Sequence, residues 1–122
     1  MERSWHCGEK SYYFDVSEVG CMRRLSESLT VLQEKEQTEH EPRPAHAALA
    51  AFCESIEAFF TGVFGPAASA EICGEVQSGK SYAEKFLDFV RFAKKQAAEV
   101  ESAIAAAEAA YYDNAVDMGV IA

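Results

Sequence analysis

Residues 81–112 read SYAEKFLDFVRFAKKQAAEVESAIAAAEAAYY. Within them Tyr82, Phe86, Phe89, Ala93, Gln96, Val100, Ala103 or Ile104, Ala107 and Tyr111 recur at near-heptad intervals. That spacing lines one side of an α-helix. Ser81, with Glu84 three residues later, reads as a capping box that opens the helix. Such a helix would span roughly 45 Å, against the ~30 Å width of a small domain. The distal part, about residues 100–112, must therefore fold back on the first helix, pair with a copy of itself or receive a client. Its apolar side would otherwise stay wet and its end would fray. Small Ala side chains allow close approach, and the acidic flanks would repel a parallel copy, so a self-pair should be antiparallel. An oligomer or a client-ready monomer is the expected state.

Upstream, the chain divides at clear punctuation. Ser4–Cys7 and Lys10–Phe14 flank Gly8-Glu9, a two-residue connection of type II′, so residues 1–15 are expected to form a β-hairpin. Asp15 with Glu18 is a second capping box. Val16, Val19, Met22, Leu25, Leu29 and Leu32 then make an apolar helical stripe over 16–36. Residues 37–44, closed by Pro42 and Pro44, form a linker. A second helix over 45–64 starts at Pro44 and carries Leu49, Phe52, Cys53, Ile56, Phe59, Phe60 and Val63. Gly62, Gly65 and Pro66 end it, and residues 67–73 make a short helical turn stopped by Gly74. The expected fold is one mainly α domain over 1–122: an N-terminal hairpin, three principal helices, a short helical turn and a long C-terminal helix.

Composition bounds the function. The 122 residues are 49% hydrophobic and 25% charged, enough for one buried core. Eight Phe, five Tyr and one Trp exclude a disordered segment. A formal charge of −9 argues against nucleic acid or an anionic membrane as partner. No apolar run is expected to reach the ~18–20 residues of a membrane span, and no basic-then-apolar leader is visible. Cys7, Cys21, Cys53 and Cys73 are scattered among apolar residues without a CxxC pair. They read as reduced, mostly buried thiols in a cytoplasm.

Gly74-Glu75-Val76-Gln77-Ser78-Gly79-Lys80-Ser81 matches the phosphate-binding P-loop pattern. In that reading Gly74 and Gly79 shape the loop, Lys80 counters phosphate charge and Ser81 holds Mg²⁺. A P-loop needs a buried parallel strand in front of it, and residues 69–73 are too short and too polar. The bland alternative is a polar loop capped by Ser81. His6, His40 and His46 do not fall at zinc-ligand spacings, and no Cys carries an activating signature. The carboxylates follow solvated helix faces. The expectation is a protein that is not an enzyme, with no catalytic residue, metal or cofactor.

Two features exceed a plain helical domain. Phe86, Leu87, Phe89, Val90 and Phe92 wrap most of one helix segment, and after Lys95 only acids remain: Glu99, Glu101, Glu108, Asp113 and Asp117. Phe86, Phe89, Phe92, Val100, Ile104 and Ala107 are the residues expected to touch a partner.

The order of parts, with Phe59-Phe60-Thr61-Gly62-Val63-Phe64-Gly65 followed by Ala68-Ser69-Ala70-Glu71-Ile72-Cys73-Gly74, resembles small tail-assembly proteins of siphophages and prophages of Gram-positive bacteria. The likeness covers residues 4–113, with its specific core at 59–74. Pro66-Ala67-Ala68 and Cys73 depart from that pattern. The resemblance implies a role beside the tail-tube and tape-measure proteins as an assembly chaperone. A different class, a small acidic inhibitor that mimics nucleic acid on a host or defence protein, rests on the charge alone.

Overall fold

The computed structural model describes residues 1–38 and 41–117; His40 lies outside them. Two strands, β1 (Ser4–Cys7) and β2 (Lys10–Tyr13), are followed by α1 (Val19–Thr38), α2 (Ala45–Phe64), α3 (Pro66–Cys73) and α4 (Gly79–Asp117). The architecture is mainly α, with an N-terminal antiparallel hairpin and a long last helix, as the sequence spacing implies.

The hairpin pairs Ser4 with Tyr13 and Cys7 with Lys10. Gly8 takes φ +64° and no described residue other than glycine has positive φ, which fits a type II′ turn with its special position at Gly8. Two strands alone are marginal, and the hairpin is held by side chains that reach α4. The Trp5 indole stacks on Phe60 and Phe64 at centroid distances of 5.7 and 6.0 Å, and its Nε1 donates to Asp88 Oδ2 at 2.9 Å.

Helix α1 begins three residues later than expected. Asp15 is not its cap: Asp15 Oδ1 accepts from the Ser17 N–H at 2.9 Å and the Ser17 hydroxyl at 2.5 Å, while Oδ2 faces Arg3 Nε at 3.4 Å. This local turn satisfies the carboxylate before the helix starts. Cys21, Leu25 and Ser28 are buried, whereas Val19 and Met22, counted in the apolar stripe, face solvent. Ser28 sits against Gly62 of α2, where an added Cβ would collide with its hydroxyl. Here glycine sets the closeness of two helices.

The hydrogen bonds from Ser17, reinforced by Arg3, hold the buried Asp15 carboxyl below its ordinary pKa. A depressed folded pKa means this stabilisation is complete above the unfolded value of about 3.9 and fades as pH falls through the folded one. In urea unfolding the wild type should lose midpoint steadily below about pH 4, and Asp15→Asn should remove that part of the loss.

Helix α2 runs as expected and supplies Cys53, Ile56, Phe59, Phe60 and Val63 to the core. It corrects one expectation. Over an 18-residue window its mean hydropathy is 1.5, so Ala45–Phe64 is long and apolar enough to cross a membrane by length and composition alone. The same apolarity serves the interior of the domain, because the hairpin, α1, α3 and α4 all draw on this one helix for their contacts. Gly65, at φ +95°, lets the chain turn directly into α3, a two-turn helix with Pro66 at its first position.

Helix α4 is longer at both ends than expected, 39 residues or about 58 Å. Its opening cap is Ser78 rather than Ser81: Ser78 Oγ accepts the Ser81 N–H at 3.3 Å and the Ser78 carbonyl accepts the Tyr82 N–H at 2.9 Å. Gly79 in the first turn lies against the Leu49 side chain of α2, whose end would have to shift to admit a Cβ.

Candidate functional site

The interior half of α4 is a structural spine. Phe89 is 0% exposed and is ringed by Trp5, Phe14, Phe60 and Phe64 at 5.1–6.0 Å. It therefore belongs to the core, and the expectation that it meets a partner is corrected. Phe86 is half-buried edge-on against Phe59 at 5.0 Å, and Phe92 is half-buried 6.4 Å from Phe89. Both close the rim of the core more than they offer a docking face.

Two polar joints fix where the helix lies. Glu57 on α2 accepts from the Tyr82 hydroxyl at 2.8 Å and from Gln77 Nε2 at 3.3 Å, while its carbonyl accepts from Ser69 at 2.9 Å. Burial and the Glu57 bond push the Tyr82 hydroxyl pKa up, so it stays protonated. At the other end the buried Gln96 donates to the carbonyls of Glu2 and Phe14 at 2.7 and 2.6 Å and accepts from the Val16 N–H at 3.2 Å. Sequence reasoning placed Gln96 on the inner stripe but gave no hint of these partners.

Beyond Gln96 the helix leaves the domain. Val100 is half-buried, and every residue from Glu101 to Asp113 is exposed. The inner stripe nevertheless continues through Ile104, 53% exposed, and Tyr111, 68% exposed, with Ala107 between them. Of the six expected contact residues, Val100, Ile104 and Ala107 fall together on this projecting face. Leu87, half-exposed on the solvent side of α4, was grouped with the aromatic wrap and not singled out as a contact.

The Gly74–Ser81 segment has a different geometry from a P-loop. It follows helix α3, and the described sheet is a two-stranded antiparallel hairpin. Gly74, at φ +78°, ends α3 with its N–H on the Ala70 carbonyl. The Ser81 and Tyr82 N–H groups, which a phosphate would need, are used by Ser78. Lys80 lies 3.9 Å from Glu84 on an exposed turn.

His6 is exposed and Cys7 half-buried on opposite faces of β1, and His46 is exposed at the start of α2. Among the described residues no three His, Cys, Asp or Glu side chains converge as metal ligands. The four Cys are free, and burial raises the thiol pKa of Cys7, Cys53 and Cys73, which disfavours the reactive thiolate. What the arrangement can do is present a rigidly anchored helix end, apolar on one side and flanked by Glu99, Glu101 and Glu108.

No curated protein and no solved structure matches the chain. A protein-family profile matches residues 8–115, from the hairpin turn into the last turn of the projecting helix. The chain belongs to DUF6673, a family of unknown function.

Proposed function

We propose that the protein is a non-enzymatic, phage tail-assembly chaperone-like protein of the bacterial cytoplasm that binds helical segments of a tape-measure or tail-tube protein. The supporting observation is the fully exposed run 101–113 of α4, which carries the domain's own core stripe from half-buried Val100 out into solvent at Ile104 and Ala107. An exposed continuation of a core stripe is suited to receive an amphipathic helix laid along it. The likeness of residues 59–74 to siphophage tail-assembly proteins supplies the class of client.

The test is co-expression with a tape-measure protein, comparing wild type with an Ile104→Asp, Ala107→Glu double variant. Both sites are exposed, so the melting temperature should stay within about 2 °C while affinity falls at least ~30-fold. Equal binding by the variant would defeat the proposal. The acidic-inhibitor reading draws support from the same exposed Glu99, Glu101 and Glu108. It requires a basic nucleic-acid-binding partner captured in a strongly salt-dependent way.

A further inference from the structure

The solvent side of α4 carries a second row, which starts apart from the projecting stripe at Leu87 and converges on it at Ile104 and Tyr111. Leu87, Lys94, Glu101, Ile104, Glu108 and Tyr111 follow the alternating three- and four-residue spacing of a coiled-coil seam, with half-buried Val90 and Ala97 at the two remaining places. Single exposed apolar side chains are ordinary. Here Leu87, Ile104 and Tyr111, each at least half exposed, share one row about 36 Å long.

The charges on this helix are arranged against its own dipole. Five bases (Lys80, Lys85, Arg91, Lys94 and Lys95) against two acids (Glu84 and Asp88) occupy the N-terminal half, and Glu99, Glu101, Glu108 and Asp113, with no base, follow in the C-terminal half. The first turn has no acid and the last turn no base. An isolated helix favours the reverse, acids near its start and bases near its end. An antiparallel neighbour with the same sequence removes the conflict, because its acidic half lies along the basic half and the two dipoles oppose.

We infer that a second copy of this chain covers the row, as a twofold antiparallel α4–α4 pair crossing near residue 99. In this register Leu87 of one copy meets Tyr111 of the other. Lys94 meets Ile104 of the second copy and sits within one turn of both its Glu101 and its Glu108. The contact is self-complementary, as a twofold interface must be. A parallel pair would set acid against acid. The pair leaves the Val100 and Ala107 side open but shares Ile104 with the client reading, so it is tested at Lys94, Glu101 and Glu108, which the client stripe does not include.

Light scattering on the full chain at about 100 μM should give twice the 13.4 kDa chain mass, with dissociation favoured at ~1 M salt. Lys94→Glu should weaken the pair at least ~10-fold, and Glu101→Lys with Glu108→Lys should do the same. Circular dichroism of each variant should be unchanged, since these side chains are exposed. Mixing the two variants should restore pairing as a heterodimer. The carboxylate introduced at position 94 of one chain then faces the new lysines of the other, whose own Lys94 faces native Glu101 and Glu108. A monomeric wild type, a pair indifferent to Lys94→Glu, or a mixture that stays monomeric would each overturn the inference.

Discussion

Phe89→Ala is expected to lower the unfolding free energy by about 4 kcal/mol, seen as a reduced urea midpoint at nearly unchanged slope. The ring is fully buried and meets Trp5 and Phe14 at centroid distances of 5.2 and 5.1 Å, with Phe60 and Phe64 completing its cage. These neighbours come from the hairpin, the turn after it and α2, so no single element can move in to fill the hole. Partial collapse is the usual relief for a core deletion, and here it would require moving three elements together. Against a typical total of roughly 5–15 kcal/mol, such a loss leaves the domain marginal at 37 °C. Phe92→Ala, at the half-buried rim, should cost less than half as much. Equal effects at the two positions would contradict this description of the core.

Gln96→Leu should cost about 3 kcal/mol and lower the melting temperature by roughly 10 °C, although leucine is of similar size and more apolar. The glutamine amide is the only side chain among the described residues that bonds both carbonyls of Glu2 and Phe14, and it also receives the Val16 N–H. Leucine would remove the partner of the Phe14 carbonyl in a buried bond and of the Glu2 carbonyl and Val16 N–H in part-buried ones. Unmade buried hydrogen bonds cost more than the same bonds contribute when present. The loss should be local as well as global: amide exchange in β1 and in residues 14–18 should accelerate before that in α2. A stability equal to wild type would show that solvent reaches those carbonyls freely.

The sequence by itself determined the order and kind of the elements. Three-four spacing in α2 and α4, the Gly8-Glu9 connection and the Gly65-Pro66 break are local signals, each governed by bonds within a few residues. They placed α2 at its observed bounds and α3 within one residue. The helix starts at Asp15 and Ser81 were misplaced because a competing local bond forms at each. Ser17 engages Asp15 before a helix can, and Ser78 caps α4 one turn earlier than Ser81 would.

The candidate site was legible only in part. That the long helix would exceed the width of the domain followed from its length, but whether residues 100–112 fold back on the first helix did not. Which aromatic rings are core and which are surface did not follow. Phe86, Phe89 and Phe92 have the same chemistry and similar spacing, and only the arrival of the hairpin and α2 together on α4 buries the middle one completely. The phase of α1, which turned Val19 and Met22 outward, and the three backbone partners of Gln96 depended on contacts between residues up to 94 positions apart. Pattern along a chain reports which side chains can share a face. Only tertiary structure decides what that face meets, because burial is a property of the neighbour that arrives.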